Sequence, residues 1–155
     1  IWIQGECKPN WDKILKDFYG FTKVLVEQMG NFPSQEYHFI IFALPYPAYH
    51  GVEHLNNTVI TLGPGYALMQ EKMYNNLLGI SSHEIYHSWN VKFIRSADLL
   101  PYDYTQENYS DMGYLCEGIT TYVGDLALVQ GNCVDENEFL RLMNVNFQKH
   151  IHTNF

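Results

Sequence analysis

The pattern H-E-x-x-H occurs in the stretch Ser81-Ser82-His83-Glu84-Ile85-Tyr86-His87-Ser88-Trp89-Asn90. In a helix, two histidines four positions apart differ by roughly 40° around the axis and by about 6 Å along it, so both imidazoles can reach one metal ion. Glu84 lies about 100° around the axis from His83, where its carboxylate can take a proton from a water molecule beside that ion. The stretch therefore predicts a hydrolytic metal site on a helix.

The residues around this motif have the periodicity of a helix. No glycine or proline follows Gly79 within residues 75–94, so nothing in that run interrupts a helix. Apolar residues recur there with a roughly helical period, at Leu77, Leu78, Ile85, Trp89, Phe93 and Ile94. We predict a helix over residues 75–94, preceded by a turn or short helix over residues 67–76.

A catalytic zinc site needs a third protein ligand, because such sites usually combine three protein ligands with one open position. Glu117 begins an amphipathic run in which most neighbours are apolar. An unpaired carboxylate among apolar residues is costly, so Glu117 is the best candidate for the third ligand. The alternative is a glutamate near a helix N-terminus that is stabilised by the helix dipole.

Several blocks of the sequence resemble the glycyl aminopeptidase family of zinc metallopeptidases. They lie at residues 51–54, 83–92, 101–109 and 117–126. The resemblance implies a thermolysin-like gluzincin catalytic domain that binds zinc through His83, His87 and Glu117, with Glu84 as the general base. It also implies a peptide substrate with a small N-terminal residue, Gly or Ala.

The block Gly51-Val52-Glu53-His54 is similar to the Gly-x-Met-Glu-Asn element of related zinc aminopeptidases. In that element the glutamate pairs with the free amino terminus of the substrate, so the resemblance implies that Gly51 and Glu53 bind substrate. Val52 and His54 depart from the Met and Asn of the element, as the glycyl aminopeptidase resemblance leads one to expect. His50 and His54 are solvated loop histidines in our interpretation, and extra metal ligands in the alternative.

The composition and net charge of the chain disfavour some classes of function. The chain has 155 residues, of which 46% are hydrophobic and 17% charged, and its net charge is −8. Such a charge disfavours binding to a phosphate backbone, so nucleic acid is not the expected partner. The sequence contains no apolar run long enough to span a bilayer.

The three cysteines, Cys7, Cys116 and Cys133, form no C-x-x-C pair and leave an odd one, so we expect no disulfide framework. Cys116 could ligate zinc in principle, but a small buried hydrophobe is the simpler interpretation. Neither cysteine usage nor a targeting pattern indicates the compartment.

The amino-terminal half contains signals for one long helix and several strands. Residues 1–5 alternate weakly and favour a short strand or a linker. An apolar stripe over residues 10–29, with Asn10 as N-cap and Gly30 just past the end, predicts a helix. Residues 37–44 and 58–62 predict buried strands. We interpret residues 48–54 as a connecting loop at the sheet edge, where a substrate backbone can pair.

The carboxy-terminal half is predicted to be helical after an irregular excursion over residues 96–110. Asp98, Asp103 and Asp125 are the candidate partners for the second ring nitrogens of the ligand histidines. Residues 112–130 predict the helix that carries Glu117, ended by Gly131. Asp135 and Glu138 favour a capped start for a last helix that ends near His152, whose apolar face would comprise Phe139, Leu142, Met143, Val145 and Phe147. His150 and His152 are interpreted as partners of the dipole at its end.

We therefore predict an α+β fold in which a small, mostly antiparallel sheet joins a helical half that carries the metal site. Residues 1–155 are expected to form one catalytic domain of a longer chain. The resemblance implies a β-rich domain before it, a PDZ domain after it, and a downstream tyrosine as oxyanion donor, for which Tyr86, Tyr109 and Tyr114 are the nearest substitutes here. An endopeptidase of the same chemistry and a non-catalytic zinc-binding domain are the alternatives.

Overall fold

A computed structural model describes residues 1–153 as an α+β fold with four strands and four helices. Short 3₁₀ turns lie at Gly65–Ala67 and Ala97–Leu99, and a π-helical turn lies at Tyr114–Gly118. None of the helices in the described residues is long and apolar enough to cross a membrane. The main elements in chain order are β1 (Trp2–Gly5), α1 (Trp11–Met29), β2 (His38–Ala43), β3 (Ala48–Glu53), β4 (Asn57–Gly63), α2 (Glu71–Tyr86), α3 (Ile119–Gln130) and α4 (Glu136–His152).

The sheet is mixed, so the prediction of a mostly antiparallel sheet was wrong. Its strand order is β1-β2-β4-β3, in which β1 pairs with β2 and β2 pairs with β4 in parallel, while β3 pairs with β4 antiparallel. Two connections produce this arrangement. The first is α1, which follows β1 and returns the chain so that β2 can pair with β1 in parallel. The second passes through β3, which forms the edge of the sheet before the chain turns back as β4. Residues 48–53, within the segment predicted as a loop, thus form an edge strand.

The predicted helix over residues 10–29 is confirmed as α1, and it covers one face of the sheet. The side chain of Asn10 accepts a hydrogen bond from the Lys13 N–H, and Gly30 follows the helix with a φ of 90°, a value that favours glycine. Its buried stripe packs on β2, where the rings of Phe18 and Phe39 lie 4.9 Å apart, edge to face. The strands predicted at residues 37–44 and 58–62 are confirmed as β2 and β4, and residues 1–5, for which a strand or a linker was expected, contain β1.

The metal-site helix differs from the prediction at both ends. α2 begins at Glu71, earlier than predicted, and ends at Tyr86, whereas residues 87–94 form turns. Polar side chains in these turns bind distant parts of the chain: Trp89 Nε1 donates to the carbonyl of Asn31, and the amide of Asn90 donates to residues 115–120. These tertiary contacts outweigh the helical periodicity of residues 87–94.

The last two helices close the fold around α2. The helix predicted over residues 112–130 is divided into the π-helical turn, which carries Glu117, and α3. α4 is capped as predicted by Asp135, which accepts a hydrogen bond from the Glu138 N–H. The side chain of Glu138 contacts Asn75 and Arg141, so the capping box is only half formed. Of the predicted apolar face, Val145 and Phe147 are exposed.

Candidate metal centre and cleft

The two motif histidines project from the end of α2 toward the same point. His87 directly follows the helix but keeps helical dihedral angles, φ −59° and ψ −18°, so the spacing expected from a helix is retained. The Nε2 atoms of His83 and His87 lie 3.0 Å apart, and the ring planes are inclined by 85°. Both nitrogens therefore face one small volume, as they must if the two histidines are to bind the same metal ion.

Glu117 reaches this volume from the π-helical turn. Its two carboxylate oxygens lie 3.2 Å from His83 Nε2 and 3.7 Å from His87 Nε2. The amide of Asn90, in the turns after α2, donates to the carbonyl oxygens of Leu115 and Cys116 at 3.1 and 3.2 Å. Asn90 thus ties the turn that carries Glu117 to the turns that follow His87. The structure brings together the three side chains that the sequence selected as ligands.

The second ring nitrogens of both histidines have partners. His87 Nδ1 lies 2.7 Å from the backbone carbonyl of Asn90, and because a carbonyl only accepts, Nδ1 carries the proton and Nε2 presents a lone pair. His83 Nδ1 lies 3.3 Å from the Thr121 hydroxyl. Burial lowers the pKa of His87, which favours the neutral imidazole, and a hydrogen bond from His83 lowers the pKa of Glu117.

The predicted carboxylate partners of these ring nitrogens were wrong. Asp98 contacts Ser110, and Asp103 contacts Thr105, both in the exposed excursion away from the histidines. Asp125 lies near His83, but Thr121, one helical turn earlier on α3, makes the hydrogen bond instead. Burial raises the pKa of Asp125 to about 6.

Glu84 occupies a buried position beside the histidines. Its side chain is 5% exposed, and Oε2 has no hydrogen-bond partner among residues 1–153. Burial raises the pKa of Glu84 to about 7, with Glu53 and Glu117 acting in the same direction and His83 and Lys92 opposing it. The Tyr37 hydroxyl donates to the backbone carbonyl of Glu84 at 3.2 Å, which links the end of α2 to the sheet. An unpaired buried carboxylate is a group that can hold or transfer a proton.

The edge strand β3 lies across α2 at this point. Gly51 faces Glu84, and a ligand oxygen of Glu53 lies within 4.8 Å of one from Glu84 and of a ring nitrogen of His87. Lys92 Nζ lies 3.2 Å from Glu53 Oε1, with 20% of the lysine side chain exposed. Glu53 is therefore close to His87 and Glu84, but it is already paired with a cation.

The other candidate residues lie outside the two groups of described residues that could hold a metal ion. His50 and His54 are exposed on or beside β3, and Cys116 is half-buried; all three cysteines are free thiols. Tyr86 is buried against Trp89, Tyr109 donates to Glu107, and Tyr114 is exposed. Asn90, Thr121 and Lys92 were not identified from the sequence as residues of the site. They lie in the blocks that resemble the family, close in sequence to ligand candidates, but no periodicity or spacing in the sequence indicates which residues they contact.

Comparison with known proteins identifies a family and a similar structure. A sequence profile described as M61 glycyl aminopeptidase matches residues 76–154. The fold is similar to the crystal structure of an aminopeptidase N family protein from Idiomarina loihiensis, with a TM-score of 0.80 and 25% sequence identity over 89% of this chain. This chain spans 24% of the length of that protein. No curated protein sequence gives a significant match.

Proposed function

The chain belongs to the M61 glycyl aminopeptidase family, and from this premise we propose that it is the zinc-binding part of a metallopeptidase that removes a small N-terminal residue, Gly or Ala, from peptides. The observation that carries the proposal is the convergence of His83 Nε2, His87 Nε2 and the Glu117 carboxylate within 3.0 to 3.7 Å of one another. The thermolysin-like character of the domain and the substrate class are part of this proposal.

The residues present fit a zinc ion. Zinc is bound by neutral imidazoles and carboxylates, and a catalytic site provides three protein ligands and one open position. His83, His87 and Glu117 would hold it, since the Nδ1 atoms of both histidines are engaged elsewhere and the Nε2 atoms face the carboxylate. When bound, the ion would supply Lewis-acid polarisation of the scissile carbonyl and of the attacking water.

Glu84 is the general base in this proposal. Its carboxylate would take a proton from the attacking water as the new carbon–oxygen bond forms, and would give a proton to the leaving nitrogen as the carbon–nitrogen bond breaks. The support is geometric: Glu84 adjoins His83 in sequence, is buried, and keeps one oxygen without a partner. A residue with those features can carry the proton in both directions within one site.

Gly51 and Glu53 are the substrate-binding residues of the proposal. The outer side of β3 has no neighbouring strand among the described residues, so an extended peptide can pair with it. The substrate ammonium would then meet the Glu53 carboxylate, 3.2 Å from Lys92. Because Gly51 has no side chain, the Glu84 carboxylate can lie close to β3, next to the position of the bound peptide.

An endopeptidase of the same chemistry is the second candidate, and the Glu53–Lys92 ion pair favours it. A carboxylate that is already neutralised attracts a substrate ammonium less strongly than a free one. In that case Glu53 would be a structural partner of Lys92 and amino-terminal selection would be absent. A non-catalytic zinc domain is the remaining alternative, but structural zinc normally has four protein ligands.

Two measurements test the proposal. Mass spectrometry of the purified protein should find one zinc per chain. Turnover should be measured with Gly- and Ala-aminoacyl dyes, with an amino-blocked peptide of the same residues, and with Glu84→Gln. We expect the free-amine substrates to be cleaved, and Glu84→Gln to retain zinc while losing about 10²–10⁴-fold in rate. Equal cleavage of blocked peptides would favour the endopeptidase, and zinc without turnover would favour the non-catalytic domain.

A further inference from the structure

A cavity of about 810 Å³ extends from His83 and Glu84 along α2 toward the start of that helix. β3 forms one wall through Tyr49, and α3 and α4 form the opposite side. The cavity is continuous with the candidate metal centre, because His83 and Glu84 line its near end. A group bound in it would therefore be part of a molecule that also reaches the metal centre.

Asp125 on α3 lines this cavity. Its side chain is 9% exposed, and it makes no hydrogen bond or ion pair with any residue in the range 1–153. The charged groups that act on it are His83 and Glu138. Burying a carboxylate without a partner is costly, and a cation delivered by a ligand offsets that cost.

Another acid that lines the cavity, Glu138, is already neutralised. Arg141 binds both carboxylate oxygens of Glu138, at 2.6 and 2.8 Å, and the amide of Asn75 donates to one of them at 3.1 Å. Glu71 also lines the cavity, but it is solvent-exposed at the start of α2. Apart from Glu84, the general base of the proposed function, Asp125 is therefore the buried acid of this cavity that remains available to a ligand.

The direction of a bound peptide follows from β3. Tyr49, Gly51 and Glu53 alternate along the strand and share one face. That face follows α2: the Tyr49 hydroxyl lies 3.9 Å from where a Cβ on Gly79 would be, Gly51 adjoins Glu84, and Glu53 adjoins His87. With its amino terminus at Glu53, a peptide that crosses Glu84 must continue toward Tyr49. The cavity is therefore on the side of the residues that follow the cleaved bond.

We propose that Asp125 binds the cationic side chain of a lysine or arginine at the position that follows the cleaved bond. The inference rests on the proposed function, because it takes the peptide direction from the placement of the substrate amino terminus at Glu53. Tyr49, within electrostatic range of Asp125, supplies an aromatic wall against which the aliphatic part of such a side chain can pack. The peptides favoured by this site would combine a small first residue with a basic second residue.

The test measures binding rather than cleavage. The zinc-loaded Glu84→Gln chain, which is expected not to consume the peptide, is titrated with Gly-Lys-Gly and with Gly-norleucine-Gly, and the dissociation constants are determined by NMR. The two peptides have the same aliphatic stem and differ in the terminal ammonium. We expect the lysine peptide to bind about tenfold more tightly, as a charge-assisted contact implies. Asp125→Asn should reduce the ratio to about one, whereas Glu71→Gln, which removes an acid from the exposed rim, should preserve it.

Four results would overturn the inference: equal affinities in the chain that retains Asp125, no binding of either peptide, a preference that survives Asp125→Asn, or loss of zinc from Asp125→Asn. The last would show that Asp125 acts through His83. Cleavage by the chain that retains Glu84 tests the proposed function separately. Cleavage of both peptides without any lysine preference in binding would overturn only the role of Asp125. A lysine preference without zinc-dependent cleavage would overturn the proposed function and leave Asp125 as a binding site for a basic side chain, with no assigned position relative to a cleaved bond.

Discussion

Gly51 and Glu84 approach so closely that a Cβ atom built on Gly51 would lie 2.2 Å from Glu84 Oε1. The same Cβ would lie 2.6 Å from the carboxyl carbon, so no small adjustment of that oxygen would remove the clash. Only glycine lets β3 cross α2 at this distance while the Glu84 carboxylate stays where it is. The absence of a side chain at Gly51, in the interior of β3, thus provides the space that the Glu84 carboxylate occupies.

Gly51→Ala is therefore expected to displace the Glu84 carboxylate and to lower turnover by about 10²-fold, because misplacing a reacting group by about 1 Å has effects of that size. Zinc content should not change, since the atoms nearest to an added Cβ all belong to Glu84, which is not one of the proposed ligands. Gly113→Ala is the matched control, because a Cβ there meets no heavy atom within 4 Å. Turnover of Gly51→Ala equal to that of Gly113→Ala would show that Glu84 does not need its observed position.

Glu117→Gln is expected to weaken zinc binding by more than about 10–100-fold. That is the loss of affinity that typically follows when a residue hydrogen-bonded to a metal ligand is removed, and a ligand itself should matter more. The amide retains the shape of the carboxylate but lacks its charge, and two histidines alone leave the site with two protein ligands. Competition with a chromogenic chelator gives the dissociation constant. Glu107→Gln, in the excursion, is the control that should match the parent protein. If Glu117→Gln also matched it, the third ligand would lie elsewhere.

Asn90→Asp tests whether the turns after α2 position Glu117. Besides the Leu115 and Cys116 carbonyls, the amide of Asn90 donates to the Thr120 hydroxyl at 3.1 Å. A carboxylate at this buried position would face carbonyl oxygens without a proton to donate, so we expect a loss of about 1–3 kcal/mol in the free energy of unfolding. Zinc affinity should fall as well, by about 10–100-fold. Denaturant titration and chelator competition measure the two effects, with the exposed Asn144→Asp as control. Unchanged zinc affinity would assign Asn90 to stability alone.

Local signals in the sequence account for the parts of the fold that were predicted correctly. α1 combines an apolar stripe with Asn10 at its start and Gly30 at its end, so its bounds follow from neighbouring residues alone. The family was confirmed by a sequence-profile match over residues 76–154, a range that contains the blocks around His83 and Glu117. Spacing alone does not place those two side chains beside each other, because 33 intervening residues separate them. Glu117 was selected because an unpaired carboxylate among apolar residues is costly, and the resemblance implied the same ligand.

The errors concern contacts between distant residues. The direction of strand pairing depends on where β3 sits in the sheet, and the alternation of residues 48–53 was obscured by His50 and Gly51. The end of α2 depends on Asn90, whose amide binds residues 25 to 30 positions further along the chain. The Glu53–Lys92 pair joins residues 39 positions apart. Periodicity describes one element at a time, so none of these contacts could be derived from it.

Substitutions of Glu53 and Lys92 are expected to have different effects on the preference of the protein for substrates with a free amino terminus. This preference is measured as a ratio, kcat/KM for a Gly-aminoacyl dye divided by that for its amino-blocked counterpart. Glu53→Gln should reduce this ratio by about 10–100-fold, because a charge-assisted contact with the substrate ammonium is lost. Lys92→Met removes the competing cation, 3.2 Å from Glu53, and leaves the full carboxylate charge for the substrate, so the ratio should stay the same or rise. If both variants lowered the ratio, Lys92 would orient Glu53 rather than compete for it. If neither changed it, Glu53 would have no part in amino-terminal selection, and the endopeptidase alternative would be the better description.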